Sequence, residues 1–168
     1  GKQDVCVGEA TALVASGAQS YIWSNGVNTQ TNTVTLMAVG SQTYTVTGTD
    51  ASGCTNSVSV TVTAHAAPTA TISGSTQTCA GTGVTLTAGG TGTSYLWSTG
   101  ETASSIFVNP AATTNYTLVT YNAQGCPSGQ AVHTLTVNPV PTASITGPTI
   151  ACKNASVTLT AAGGTSYL

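Results

Sequence analysis

The 168-residue sequence predicts an all-β fold: small antiparallel β-sandwiches in tandem, arranged as a linear rod. Three observations carry that expectation. The chain repeats itself every 73 residues, its apolar residues alternate with Thr in short runs, and it is almost free of charge, with 4% Asp, Glu, Lys and Arg. Internal periodicity of this length is the mark of an array of similar units.

The repeat is read from landmarks in a fixed order. Cys6, Cys79 and Cys152 are spaced by 73 residues, each at the end of a segment that opens with glycine: "GKQDVC", "GSTQTC" and "GPTIAC". Tyr21-Ile22-Trp23-Ser24 returns as Tyr95-Leu96-Trp97-Ser98, Tyr44-Thr45-Val46 as Tyr116-Thr117-Leu118, and Gly53-Cys54 as Gly125-Cys126. "PTATISG" (Pro68–Gly74) returns as "PTASITG" (Pro141–Gly147). The units implied are residues 1–66, lacking most of a first strand, 67–139, complete, and 140–168, the start of a third. Residues 140–168 are too few to fold alone, so the chain is expected to be a segment of a longer array.

Within the complete unit the expected strands are "TATISG", "VTLTA" (Val84–Ala88), "SYLWS" (Ser94–Ser98), "SSIFV" (Ser104–Val108), "NYTLVTY" (Asn115–Tyr121) and "AVHTLTV" (Ala131–Val137). Period-two alternation is clean in "VTLTA", "TLTV" and "VSVTVT" (Val58–Thr63), which puts apolar side chains on one face and Thr on the other. Thr makes up about a fifth of the chain. It is β-branched and so favours strands, and its hydroxyl keeps an outward face wet without charge. No helical periodicity with caps occurs, and six or seven short strands with regular turns define a small sandwich. The joints "AHAAPT" and "NPVPT" carry Pro68, Pro139 and Pro141, which favour extended, stiff connections over flexible tethers.

Composition excludes several functions. Lys2 and Lys153 are the only basic residues besides two histidines, too few to track phosphates or an anionic membrane. No apolar run reaches transmembrane length, so no membrane insertion is expected in this segment. The carboxylates Asp4, Glu9, Asp50 and Glu101 do not recur from unit to unit, and no serine sits in a nucleophile motif. Neither an enzyme, a metal site nor a cofactor is therefore expected. His133 shares its phase with Leu135 and Val137 and reads as a packing or edge residue, and His65 falls in a joint with no companion.

The cysteines pair most simply within a unit, Cys6 with Cys54 and Cys79 with Cys126, each closing a loop worth about 4 kcal/mol of chain entropy. Cys152 then lacks a partner in this register. Disulfides imply an oxidising compartment, hence a secreted or cell-surface protein. Trp23 and Trp97 lie mid-strand with Tyr two residues earlier and are expected in the cores, rather than stacking on sugars. Tyr44 and Tyr116, opening the next-to-last strand, are expected to form structural tyrosine corners. The aromatics left for ligand contact are Tyr95, Tyr121 and Tyr167.

Together "SYLWSTG", "NYTLVTYNAQGC" and "TLTVNPVPTASI" resemble the immunoglobulin-like or PKD-like repeats of very large secreted proteins of the Bacteroidota. Units of that family run Y-x-W-S-x-G, then Y-T-V-x-x-x-D/N-x-x-G-C, then T-V-x-V-x-P-x-P. The resemblance spans the whole chain and implies immunoglobulin-like sandwiches, export by type IX secretion, and display as long adhesins of the kind used in gliding motility. Two features depart from relatives. Tyr116 and Cys126 are ten residues apart, unlike the antibody arrangement, and "WSNG" and "WSTG" lack the Asp that PKD turns use for metal.

The expected function is the structural stalk of a secreted or cell-surface adhesin or filament, bearing load and projecting a distal binding region. Its partners are neighbouring repeats of the same chain, with surface glycans or other cell-surface proteins as a further class and no nucleic acid. The alternative is a carbohydrate- or surface-binding accessory module of a secreted enzyme. A third idea, that outward Thr ladders meet a regular surface such as ice, competes with their ordinary role on a solvent face.

Overall fold

The computed structural model describes residues 1–166, which form fifteen strands and no helix among the described residues. The chain builds two β-sandwiches, each with its own core. The first uses β1 (Asp4–Cys6), β2 (Ala10–Val14), β3 (Ser20–Trp23), β4 (Thr31–Thr35), β5 (Gly40–Thr49) and β6 (Thr55–His65). One sheet has the order β1-β6-β5-β3, and the other pairs β2 with β4. Alternation decides the facing: Leu13 and Val34 from one sheet meet Val5, Trp23, Val46, Val62 and Ala64 from the other.

The second sandwich uses β7 (Ala70–Ser73), β8 (Gln77–Cys79), β9 (Val84–Gly90), β10 (Ser94–Trp97), β11 (Ser105–Val108), β12 (Thr114–Tyr121) and β13 (Ala131–Asn138). Its sheets run β10-β12-β13-β8 and β11-β9-β7. Leu86, Trp97, Ile106, Val108, Tyr116, Leu118 and Leu135 form the core, with Ala70 and Ile72 of β7 packed against it. The first sandwich has no counterpart of β7 among the described residues.

The sandwiches are not wholly antiparallel. β1 lies parallel to β6, with Cys6 opposite His65, and β8 lies parallel to β13, with Cys79 opposite Asn138. Both three-residue strands are absent from the sequence-based expectation, because each offers a single inward residue, Val5 in one and Thr78 in the other. Their pairing places the first cysteine of each sandwich at the end where the last strand leaves.

The β5–β6 hairpin shows what the Thr content does. Its outward face carries four cross-strand hydroxyl pairs, Ser41–Thr63 at 2.9 Å, Thr43–Thr61 at 2.9 Å, Thr45–Ser59 at 2.7 Å and Thr47–Ser57 at 2.8 Å. Such pairs contribute about 0.2–1 kcal/mol each and hold the register without charge. Beyond β13, residues 139–166 form only the antiparallel pair β14 (Ser144–Thr146) and β15 (Thr160–Ala162), and all of them are exposed.

Candidate functional site

The cysteines define the site, in a pairing that the sequence does not suggest. Cys6 of the first sandwich is bonded to Cys126 of the second, with Cα atoms 5.5 Å apart and 120 residues between them. Cys54, Cys79 and Cys152 are exposed thiols. The expected Cys6–Cys54 and Cys79–Cys126 bridges are therefore replaced by one bridge between sandwiches.

The reason is geometric. Cys54 precedes β6, whereas Cys6 stands beside the far end of that strand, so the two are about 33 Å apart at the rise of a β-strand. Cys126 precedes β13 and Cys79 stands beside its far end, a gap of more than about 20 Å on the same rise. A disulfide needs Cα atoms within about 7 Å. Each sandwich thus carries one cysteine at each pole, and only neighbours meeting pole to pole can join them.

The junction is built around that bond. Cys126 is fully buried and its sulfur lies 4.0 Å from the His65 carbonyl. Asn122 shapes the turn, its Oδ1 accepting the N–H of Gln124 at 3.0 Å and of Cys126 at 2.8 Å. Its Nδ2 donates to the Ala66 carbonyl at 2.9 Å, so one side chain holds the turn and the joint together. Gly125, at φ 83°, takes the left-handed conformation that the turn requires. Pro68 of the joint is buried, while Pro139 and Pro141 of the next joint are exposed. Behind Cys6, Glu9 Oε2 accepts the Cys6 N–H at 2.8 Å and Oε1 accepts from Lys2 Nζ at 3.1 Å. Those two bonds, the Cys6 amide first, hold the Glu9 carboxyl below its ordinary range.

Sequence reasoning missed Asn122. The signal was present as an Asx residue four positions before each Gly-Cys cysteine, since Asp50 Oδ1 accepts the N–H of Ser52 at 2.8 Å and of Cys54 at 2.9 Å. Asp50 has no donor to offer a neighbouring joint.

The remaining residues are dispersed. Trp23 and Trp97 are buried, and their indole N–H groups donate to the Thr29 and Ala103 carbonyls, both at 2.9 Å. Tyr116 is buried, which raises its phenol pKa, and Tyr44 is half-buried against the first core. Neither makes a corner hydrogen bond among the described residues. Tyr21 does so instead, its hydroxyl accepting the Ala18 N–H at 3.0 Å and donating to the Ala18 carbonyl at 2.9 Å. His65, expected to be isolated, lies at the end of β6 with its Nε2 2.8 Å from Asp4 Oδ1. His133 is half-buried on β13, its Nε2 3.0 Å from the Ser75 carbonyl.

Tyr95 and Tyr121 are half-buried, and Tyr167 lies outside the described residues. The aromatic that stands out, 69% exposed, is Phe107, which lines a shallow recess with Thr99, Glu101 and Tyr116. No group of three or more His, Cys, Asp or Glu side chains is placed to hold a metal among the described residues. Nor is any helix there long and apolar enough to cross a membrane.

No protein-family model matches the chain, and no curated protein matches it. Solved structures with a similar arrangement of strands exist. The fibronectin(III)-like modules of Clostridium thermocellum CbhA are 15% identical, with a TM-score of 0.46 over 82% of this chain and 90% of that one. Murine CEACAM1b is 12% identical, with a TM-score of 0.41 over 82% of this chain and 96% of that one. A Ca2+-stabilized adhesin of an ice-binding Antarctic bacterium is 19% identical, with a TM-score of 0.42 over 84% of this chain and 46% of that one. These likenesses are loose, and the sandwich architecture rests on the chain's own sheets and cores.

Proposed function

We propose that the chain is a structural segment of an extracellular stalk, in which immunoglobulin-like units follow one another as a rod and carry load for a distal binding region. The observation that supports it most is the Cys6–Cys126 bond, which ties the two sandwiches together beside their joint. The Asn122–Ala66 hydrogen bond and the buried Pro68 act in the same direction. A sparsely charged, hydroxyl-rich surface keeps such a shaft nearly insensitive to salt. The disulfide suits an oxidising compartment, and type IX export and gliding adhesion remain what the repeat resemblance implies. On this reading the chain performs no catalysis and binds no cofactor.

Small-angle scattering of the oxidised and reduced protein tests it, together with stretching of single molecules. The oxidised form should be extended with one preferred inter-sandwich angle, and reduction should broaden that distribution. Under force, the residues enclosed by the bridge should stay hidden until it is reduced, and then add about 400 Å of contour. A junction equally pliant in both redox states would overturn the stalk.

A second reading, a carbohydrate- or surface-binding accessory module, draws on the exposure of Phe107 beside Glu101. An exposed aromatic next to a hydrogen-bonding carboxylate suits a sugar face. Glycan-array binding that Phe107→Ala abolishes would support it; a blank array would remove it.

A further inference from the structure

We propose that Asn25 is a site of spontaneous modification: its side-chain amide is lost to attack by the Gly26 nitrogen, and the buried Asn32 holds that reaction off while the first sandwich is folded. The inference goes beyond the stalk and does not depend on it.

Asn25-Gly26 is the one Asn-Gly step in the sequence. An asparagine amide followed by glycine is the arrangement most open to cyclisation. Glycine has no side chain to hinder the approach of its own nitrogen, and it has the widest choice of backbone angles. Both residues are exposed, in the turn between β3 and β4, so water and base reach them.

The second sandwich shows that this turn does not need an asparagine. Thr99-Gly100 builds the same turn: the Gly26 N–H donates to the Trp23 carbonyl at 2.8 Å, and the Gly100 N–H to the Trp97 carbonyl at 2.9 Å. The two glycines have φ of 85° and 87°. What differs is the residue on the next strand. Asn32 stands opposite Leu13 of β2, and Ile106 stands opposite Leu86 of β9, so the two hold one place in the repeat. Where the turn has Thr99 the core has Ile106, and where the turn has Asn25 the core has Asn32. The asparagines come as a pair.

That pair is closed on itself. Asn25 Nδ2 donates to Asn32 Oδ1 at 3.2 Å, and Asn32 Nδ2 donates to Asn25 Oδ1 at 3.1 Å. Asn32 is fully buried, so the grip on the exposed Asn25 comes from inside the core. Cyclisation requires the Asn25 side chain to swing its Cγ onto the Gly26 nitrogen, and that nitrogen to give up its proton. The Asn32 amide opposes the first movement, and the Trp23 carbonyl opposes the second. Both restraints disappear together when β3 and β4 part, so the reaction belongs to the opened sandwich.

The chemistry needs only water. The Gly26 nitrogen, its proton removed by solvent base, forms a bond to Asn25 Cγ; the Cγ–Nδ2 bond breaks, and the nitrogen leaves as ammonia after taking a proton from water. Water then opens the succinimide at either carbonyl, giving aspartate or isoaspartate at position 25. Neither product can donate to Asn32 Oδ1, whose partner is the Asn25 amide, and a buried acceptor is left unsatisfied. Isoaspartate also adds a methylene to the backbone of a turn closed by the Trp23 N–H on the Val27 carbonyl at 2.7 Å. The change is one-way: a sandwich that opens and reacts refolds weaker, and so opens more often.

The test follows conversion of Asn25 by peptide mapping and enzymatic isoaspartate detection, in the 168-residue protein held in mildly alkaline buffer. In the native parent, Asn25 should convert at least about tenfold more slowly than in the same protein unfolded by guanidinium. That comparison uses the parent alone and needs no variant to fold. Asn32→Ile, which installs the residue of the second sandwich, should remain folded by calorimetry yet convert Asn25 at least about tenfold faster than the native parent. Conversion at the exposed Asn56, on β6, should not change with it. The acidic species purified from an aged sample should unfold at a lower temperature than fresh protein. Asn25→Thr combined with Asn32→Ile, the pairing of the second sandwich, should age without forming it. Equal rates in native and unfolded parent, an Asn25 rate unmoved by Asn32→Ile, or an aged species as stable as fresh protein would each overturn the proposal.

Discussion

Cys6 and Cys126 lie in different sandwiches, 120 residues apart, yet their Cα atoms are 5.5 Å from each other. A short parallel strand brings this about. Had β1 paired antiparallel, Cys6 would face away from the joint, and the bridge could not form. The bond therefore reports the direction of β1 as much as the proximity of two sandwiches.

Peptide mapping without reductant is expected to recover Cys6 linked to Cys126, with Cys54 and Cys79 alkylated as thiols. A loop of this length restrains the unfolded chain by about 5 kcal/mol. Cys6→Ser and Cys126→Ser should each lower the thermal midpoint, Cys126→Ser at least as much, since both break the same bond and Cys126 is also fully buried. A midpoint unchanged by Cys6→Ser would show that the bond does not form.

Asn122 both shapes its turn and reaches across the joint, and a single atom separates the two roles. Asn122→Asp keeps the acceptor for the N–H groups of Gln124 and Cys126 but loses the donor to the Ala66 carbonyl. Denaturant unfolding should show a loss of about 1–2 kcal/mol. Asp50→Asn, in the corresponding turn with no joint to serve, should stay within about 0.5 kcal/mol of the parent.

The first core holds a buried polar residue where the second has an isoleucine. Asn32, fully buried, exchanges two hydrogen bonds with Asn25 at 3.1 and 3.2 Å, and Ile106 occupies the same place on β11. Asn25→Ala strands the Asn32 amide and should cost about 1–3 kcal/mol. Asn32→Ile should be close to neutral or stabilising, as both polar partners are then removed from the core or free to face water. Calorimetry of the two variants distinguishes them by sign.

The Glu9 carboxyl is held below its ordinary pKa by the Cys6 amide and by Lys2. A depressed folded value means that its contribution is present above the unfolded carboxylate pKa and is lost as pH falls through the folded one. An NMR titration should place the Glu9 midpoint below that of a free glutamate. Glu9→Gln should flatten that part of the acid unfolding curve, and a midpoint at the free value would remove the effect.

The sequence made the strands legible wherever several apolar residues alternate with Thr, as in β9, β12 and β13, and it made the tryptophans legible as core. It was silent where a strand has only one inward residue. Val5 and Thr78 give no period to read, so β1 and β8 were invisible, and with them the pole on which Cys6 and Cys79 lie. Nearly equal spacings of 48 and 47 residues then favour pairing within a unit, because sequence distance carries no direction. Asn122 was legible in type, as an Asx turn, but not in reach, since its second partner belongs to another part of the fold.

The bridge also makes the chain a closed covalent ring from Cys6 to Cys126, taking in the first sandwich and most of the second. A protease that cuts once anywhere inside that ring does not sever the molecule. Two pieces remain tied through sulfur, each still packed in its sheet, and a second cut is needed before anything is released. That tolerance of a first cut is independent of how stable either sandwich is.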